Sequence, residues 1–273
     1  MRINPFFSIV IVNYNTGKYL EQAIQSVINQ SCPDWELIMV DGGSTDNSLD
    51  VIKRYSTYFS WWISEPDHGQ SDAFNKGFSH ANGVFYTWLN ADDIMLSGTL
   101  AYVKEYIVKH QSCNWVALNT IYFDGAGRIL SCSQGVSHNN FVLKHGVLTE
   151  VAPSTIFHSD LYNESNRFDT SLHYTMDTDL WIQFVNNGHS YKRVNKFGWG
   201  FRLHDDSKTA SSVLQRKYMD KHKKEYISML RKNGVMQYVL VLFWQKVLRV
   251  LYSRPLMLYF SFIYKGRIIY SIK

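Results

Sequence analysis

Apolar and polar positions follow two rhythms along the first hundred residues. Residues 7–12 form a nearly continuous apolar run rich in β-branched side chains, the pattern of a strand buried on both faces. Leu20, Ala23, Ile24, Val27 and Ile28 then recur at helical spacing. Residues 35–40 predict a second strand, 44–55 a helix capped by Ser44 or Thr45, and 61–64 a short third strand. Ala73, Phe74, Gly77, Phe78 and Ala81 mark one face of another helix, and 84–89 read as a fourth strand. Alternation of this kind predicts right-handed crossovers and an α/β fold, a mostly parallel sheet flanked by helices. Ligands of such sheets bind beyond the carboxyl ends of the strands. The polar segments 13–15, 41–44, 65–72 and 90–93 all fall at those ends.

Farther along, the rhythm is less regular. The D-G-A-G stretch within residues 123–128 predicts a hairpin turn. Residues 177–187 predict a helix with Leu180, Trp181, Phe184 and Val185 on one side, and 210–232 a basic surface helix.

The chain has 273 residues, 45% hydrophobic and 19% charged, which excludes wholesale disorder and allows one sizeable α/β domain with an elaborated C-terminal part. Three cysteines with no C-x-x-C pair argue against a disulfide framework or a cysteine zinc site, and suit a reducing cytoplasm. The first residues lack the charged, apolar and cleavable order of a signal peptide. The net charge of +5 conceals an asymmetry. Residues 1–213 carry 15 Lys+Arg against 21 Asp+Glu, whereas residues 214–273 carry 13 against 2. Within the tail, residues 235–273 hold six basic residues, no acidic ones and nine aromatics. A bilayer-spanning helix needs about 20 mostly apolar residues, and no uninterrupted stretch of that length occurs here. Cations mixed with Trp, Tyr and Phe suit a helix lying in the membrane interface. The competing reading packs the same residues on the catalytic body or a second subunit. The apolar content of the tail exceeds what a surface tracking phosphates needs, so no nucleic-acid partner is expected.

Four segments carry candidate chemistry. N-A-D-D at 90–93 sets two adjacent carboxylates at a strand end, able to hold a hard cation that keeps waters or phosphate oxygens as its other ligands. A helix cap is the plainer reading. V-D-G-G-S-T-D at 40–46 offers Asp41 to a ribose hydroxyl or base N–H, or forms a tight turn before a capped helix. Asp177 and Asp179, two apart, point in different directions on a helix. One of them faces a cleft, or both are acids favoured by the helix dipole. R-L-H-D-D-S-K-T at 202–209 combines a potential imidazole ligand with phosphate donors, or is a polar turn.

Taken in order, S-I-V-I-V-N-Y-N, V-D-G-G-S-T-D, S-E-P-D-H-G-Q-S-D-A-F-N-K-G, W-L-N-A-D-D, D-T-D-L-W and H-D-D-S-K-T resemble family 2 glycosyltransferases of the GT-A fold, of the kind found in bacterial surface-polysaccharide biosynthesis. The resemblance spans about residues 7–209 and implies an inverting transfer of sugar from a nucleotide-diphosphate donor, a UDP-sugar first among them, with Mn²⁺ or Mg²⁺. It implies that Tyr14 and Asp41 sit against the nucleoside with Ser44 nearby, and that Gln70, Asp72 and Asn75 line the donor side. Asp92 matches the metal-binding acid, with Asp93 behind it or against the sugar. Asp177 matches the catalytic base. His204 completes the metal site, and Ser207 and Lys208 reach the diphosphate. Asn90 stands where the family's D-x-D signature has its first acid, so it supplies hydrogen bonds but no charge. Met176 and Gln183 replace an acid and an arginine that flank the base in many members. No Q-x-x-R-W motif is present, which argues against a processive synthase.

The organisation implied is a catalytic domain over 1–209, with a nucleotide-binding half (1–100) and an acceptor-side half (101–209), then a basic helical extension over 210–273. The acceptor expected is a glycan or a lipid-linked molecule, and the location cytoplasmic, peripheral on the inner face of the cell membrane. A nucleotidyltransferase would carry a Gly- and Arg/Lys-rich phosphate loop after the first strand, where N-Y-N-T-G-K stands instead. A non-catalytic nucleotide-sugar scaffold would lose the base or the metal acid, and both Asp177 and Asp92 are present.

Overall fold

The first apolar run becomes β1 (Phe7–Asn13), buried along its whole length. Its edges pair with two parallel partners, β2 (Trp35–Asp41) and β4 (Phe85–Asn90), and its faces are covered by helices. The computed structural model describes residues 4–133, 154–205, 207, 216–234 and 254–271. The chain divides into two units, 1–116 with 155–173, and 117–154 with 174–273.

In the first unit the strand order is β3-β2-β1-β4-β8, with β3 (Phe59–Ser64) parallel to β2 and β8 (Thr155–His158) antiparallel to β4. Register aligns Asn13 with Asp41, Asp41 with Ser64, and Val12 with Asn90. The strands therefore end together, and their polar terminal residues stand in a row. Helices α1 (Gly17–Ile28), α3 (Gln70–Ser79) and α4 (Thr99–Lys109) bury apolar faces that include Leu20, Ile24 and Val27, then Phe74 and Phe78, then Leu100 and Val103. Gly77 lets α3 lie directly on the sheet, since a Cβ there would run into Val10 and approach Val40. Phe78 stacks on Tyr86, and Phe74 on Phe168, closing an aromatic layer with Trp88.

The helix expected over 44–55 is shorter, α2 (Ser48–Arg54), preceded by Asn47 rather than capped by Ser44 or Thr45. The reason is local. Residues 44–46 are held by hydrogen bonds to Asn13, Asn15 and Asp41, and Asp46 accepts the Ser48 N–H at 3.0 Å. Likewise α4 starts after Gly98, in left-handed conformation, with no side-chain cap from Ser97 or the acids before it. A two-residue strand, β5 (Ile94–Met95), and a short α5 (Ser159–Asn163) complete this unit.

In the second unit β6 (Trp115–Asp124) and β7 (Ile129–Ser133) form the hairpin expected from D-G-A-G. Asp124 accepts the N–H groups of Ala126 and Arg128, and Gly127 supplies the positive φ the turn requires. β9 (Lys192–Leu203) neighbours β6 in the strand order. Helices α6 (Met176–Asn186), α7 (Arg216–Lys232) and α8 (Arg254–Tyr264) follow. The basic helix expected over 210–232 is α7, while 210–215 and 235–253 lie outside the described residues. All three cysteines are free and buried. Among the described residues no helix is long and apolar enough to cross a membrane.

Candidate active site

Asp41 is the hub of the strand-end row. One carboxylate oxygen accepts from Asn13 Nδ2 at 2.6 Å and from Ser44 Oγ at 2.5 Å. The other accepts from the Ser44 N–H at 3.0 Å and Ser64 Oγ at 2.6 Å. The residue is fully buried. These four donors tie the loops after β1, β2 and β3 to one carboxylate. Asp41, expected against the nucleoside, is enclosed by neighbouring hydroxyl and amide donors.

Tyr14 is the opposite case, 64% exposed. Its neighbour Asn15 adopts a left-handed conformation (φ 52°) that few non-glycine residues tolerate. The Asn15 side chain secures it by accepting the Thr45 N–H at 2.8 Å, while its own N–H donates to Ser44 Oγ at 2.8 Å. Gly42 lies between Tyr14 and Asp67, and a Cβ there would stand 2.5 Å from the Asp67 carboxylate.

The loop after β3 is braced from within. Asp67 accepts the Gly69 N–H at 2.8 Å, and Asp72 accepts the His68 N–H at 3.1 Å and pairs with Lys76 at 3.3 Å. The His68 N–H, with help from Lys76, holds the Asp72 carboxyl below the usual carboxylate range. Gln70 Nε2 donates to Asn90 Oδ1 at 2.8 Å, and Asn90 Nδ2 donates to Asp93 at 2.9 Å. Asp93 is buried, so of the N-A-D-D acids it is Asp92 that remains half-exposed. Asn75 was expected on the donor side. Its amide accepts from Tyr162 Oη at 2.7 Å and the Phe168 N–H at 3.1 Å and donates to the Phe168 carbonyl at 2.9 Å. It thereby fastens α3 to the segment after α5.

In the second unit Asp177 occupies the first turn of α6. Part of its surface reaches solvent, but protein packs densely around the carboxyl group. Loss of water pushes its pKa up. The Thr178 N–H at 2.6 Å and the positive potential of His222 offset only part of that rise. Asp179 resolves the ambiguity of the paired acids. It is buried and accepts from Gln183 Nε2 and Asn233 Nδ2, each at 2.7 Å. Glu225 on α7 accepts the N–H groups of Tyr174 and Thr175 at 2.7 and 2.9 Å, just ahead of α6. His204 follows β9, its carbonyl accepts the Ser207 N–H at 2.9 Å, and Ser207 is buried. Lys208 lies outside the described residues.

The first unit thus gathers Asp41 and Ser44 in one network, with exposed Tyr14 beside Asn15, and Gln70, Asn90 and Asp93 in another, while Asp177, His204 and Ser207 belong to the second unit. Among the described residues no three His, Cys, Asp or Glu side chains assemble a metal site by themselves. Reading the sequence missed the supporting roles of Asn13, Asn15, Ser64, Glu225 and Asn233. Asn13 and Asn15 stood in a polar strand end, which was a usable signal. Glu225 had none, being 50 residues from Thr175.

A parallel sheet whose polar strand ends are bound into two hydrogen-bonded networks, followed along the chain by a desolvated acid at the start of a helix, matches a known class. The profile of "Glycosyl transferase family 2" matches residues 8–165, more than half of the chain, and the protein belongs to that family. Its α/β architecture is the GT-A fold. Staphylococcus aureus TarS in complex with UDP-GlcNAc superposes with a TM-score of 0.65 at 17% identity, covering 83% of this chain and 66% of that one. The mannosyltransferase PcManGT of Pyrobaculum calidifontis, in complex with GDP-Man and Mn²⁺, does so with a TM-score of 0.60 at 14% identity, covering 85% and 65%.

By sequence, the chain is similar to a PGL/p-HBAD biosynthesis glycosyltransferase of Mycobacterium tuberculosis, 35% identical over 116 residues. That match covers 41% of this chain and 45% of the relative, so it spans less than half of the mycobacterial protein. The putative glycosyltransferase EpsE of Bacillus subtilis is 25% identical over 200 residues, 69% of each chain.

Proposed function

We propose that the protein transfers a glycosyl group from a UDP-sugar to an acceptor hydroxyl with inversion, supported by Mn²⁺ or Mg²⁺. The observation that carries this reading is the strand-end row of the first unit. Asp41 and the Gln70–Asn90–Asp93 chain fix the loops, and Tyr14 and Asp92 stay accessible. An exposed ring beside a glycine suits a stacked base. A base N–H reaches Asp41 only by replacing one of its serine donors, so the main part of Asp41 is to hold Ser44 and Ser64 in place.

Asp92 and His204 are the residues to hold the cation. Without a three-ligand protein cluster among the described residues, most of its ligands would be diphosphate oxygens and water, as suits a hard divalent ion. When bound, the cation offsets the charge that develops on the departing diphosphate. The Mn²⁺ complex of PcManGT and the UDP-GlcNAc complex of TarS are consistent with this choice of metal and donor. Ser207 and Lys208 add donors to the diphosphate. Asp177 takes the proton of the acceptor hydroxyl, and its raised pKa brings it nearer the working pH of a general base. Attack opposite the leaving group inverts the anomeric carbon. Residues 1–100 serve the nucleotide and 101–209 the acceptor. The acceptor is a glycan or lipid-linked molecule of surface-polysaccharide or glycolipid assembly, met at the inner face of the membrane.

The test is nucleoside-diphosphate release from a panel of nucleotide sugars, with and without Mn²⁺, by wild type, Asp92→Ala and Asp177→Asn. Metal-dependent turnover of one donor, lost in both variants with donor binding kept in Asp177→Asn, is the expected result. Absence of both turnover and donor binding would sink the assignment. Pyrophosphate as the product would point to nucleotidyl transfer instead.

A further inference from the structure

Over residues 259–264, helix α8 packs on the second unit through Phe260, Ser261 and Tyr264. Phe260 and Tyr264 meet Phe197 of β9, with ring centroids 5.4 and 6.2 Å apart. Ser261 Oγ accepts the Cys132 N–H of β7 at 3.1 Å. The segment after the helix is locked to β7 as well, through Ile129 N–H to the Arg267 carbonyl and Gly266 N–H to the Ile129 carbonyl, each 2.9 Å. This end of the chain is therefore anchored, and its outward side chains have fixed positions.

Those side chains are large and apolar. Phe262 is 87% exposed and Tyr259 59%, three residues apart on the helix, and exposed Lys265 follows three residues on, in the turn just after it. Beyond it Ile268 and Tyr270 are exposed on either side of the buried Ile269. Two cations sit among them, Lys265 and Arg267, both exposed, the guanidinium 5.8 Å from the Tyr264 ring centroid. Asp124 is paired with Arg128, whose backbone bridges to Ile268. Residues 235–273 contain no Asp or Glu at all.

We propose that the Tyr259–Phe262–Lys265 stripe and the adjoining Arg267–Tyr270 turn dock the enzyme on an anionic lipid bilayer, with Phe262 entering the headgroup boundary. The proposal rests on the membrane-peripheral reading above and names its surface and lipid class. Charge selects this occupant. Aromatic rings with interspersed cations and no anions match a negatively charged interface. A second copy seated face to face would set Lys265 and Arg267 against their own like charges. Tyr rings sit favourably at headgroup depth and Phe at the headgroup–acyl boundary, which an aqueous partner surface does not require.

The experiment is co-sedimentation of the full chain with phosphatidylcholine vesicles, with and without phosphatidylglycerol, in the absence of any donor sugar. Binding to the anionic vesicles is expected, falling about tenfold in Tyr259→Ser/Phe262→Ser as apolar contact is lost. Each of Lys265→Gln and Arg267→Gln should lower it about fivefold. Because these positions are exposed, circular dichroism and melting should match wild type. Equal binding by wild type and the aromatic double variant overturns the proposal, as does equal binding to neutral vesicles. A lipid-free dimer that Phe262→Ser dissociates also overturns it, assigning the face to a second copy. Transfer activity is not read, so an inactive protein that binds vesicles keeps this inference and loses only the catalytic one.

Discussion

Two enclosed carboxylates, one in each unit, contrast a fastening acid with the one proposed as the catalytic base. Asp41 lies at the end of a central strand with four donors on its two oxygens, and it is fully buried. Asp177 lies at the start of a helix. Its donors are all local, the N–H and hydroxyl of Thr178 and its own N–H, and its surroundings desolvate it more than these donors stabilise its charge. Enclosure with many donors makes a rigid hub. Enclosure with few leaves an acid whose proton is held more tightly than usual and whose basicity is available for chemistry.

The contrast predicts opposite signs of effect, and the largest is at Asp177. Asp177→Asn should lower kcat roughly 10²–10⁴-fold and yet leave the fold at least as stable at neutral pH. The sign follows from linkage. Burial raises the folded-state pKa, so between the unfolded and folded values the native chain binds the extra proton and stability declines as pH rises. Above that window the ionised acid opposes folding, and the neutral amide removes the penalty. A calorimetric melting temperature well below wild type would erase the distinction between the two acids.

Asp41→Ala should do the reverse, stranding four donors at a cost of about 3–5 kcal/mol and lowering the melting temperature by roughly 10 °C. A near-neutral melt would show that water or a rearranged loop satisfies Ser44 and Ser64. Glu225→Ala should cost about 1 kcal/mol, comparable to the loss of a helix cap. It should lower kcat while donor affinity, measured by calorimetry, is retained. The smallest effect is at His222. The acid limb of kcat/KM is expected above the ordinary carboxylate range, and His222→Gln should move it slightly farther up, because the imidazolium favours the ionised form of Asp177. That small shift should shrink in high salt.

Much of the first unit was legible along the chain. β1, β2 and β4 were predicted within one residue of their observed ends, and α1 and α3 through their apolar faces, because period-2 and period-3.6 burial leaves its mark locally. The hairpin at 124–128 was equally plain, since its turn requires glycine. What escaped was the use of each polar residue. Ser44 read as a helix cap and became a donor to Asp41. Asn75 read as a donor-side residue and became a clamp on Phe168, 93 residues away. Spacing alone left the parts of Asp177 and Asp179 open, and Asn233, 54 residues beyond Asp179, engages that residue.

The sequence by itself determined which segments are strands and helices, that the polar residues collect where parallel strands end, and which family the chain joins. These are properties of short windows and their order. Tertiary structure alone decided which carboxylate is saturated with donors and which is left short, and which side chains of α8 remain uncovered. Hydrogen-bond saturation and desolvation depend on groups brought together from distant positions, and no local pattern records which groups those will be.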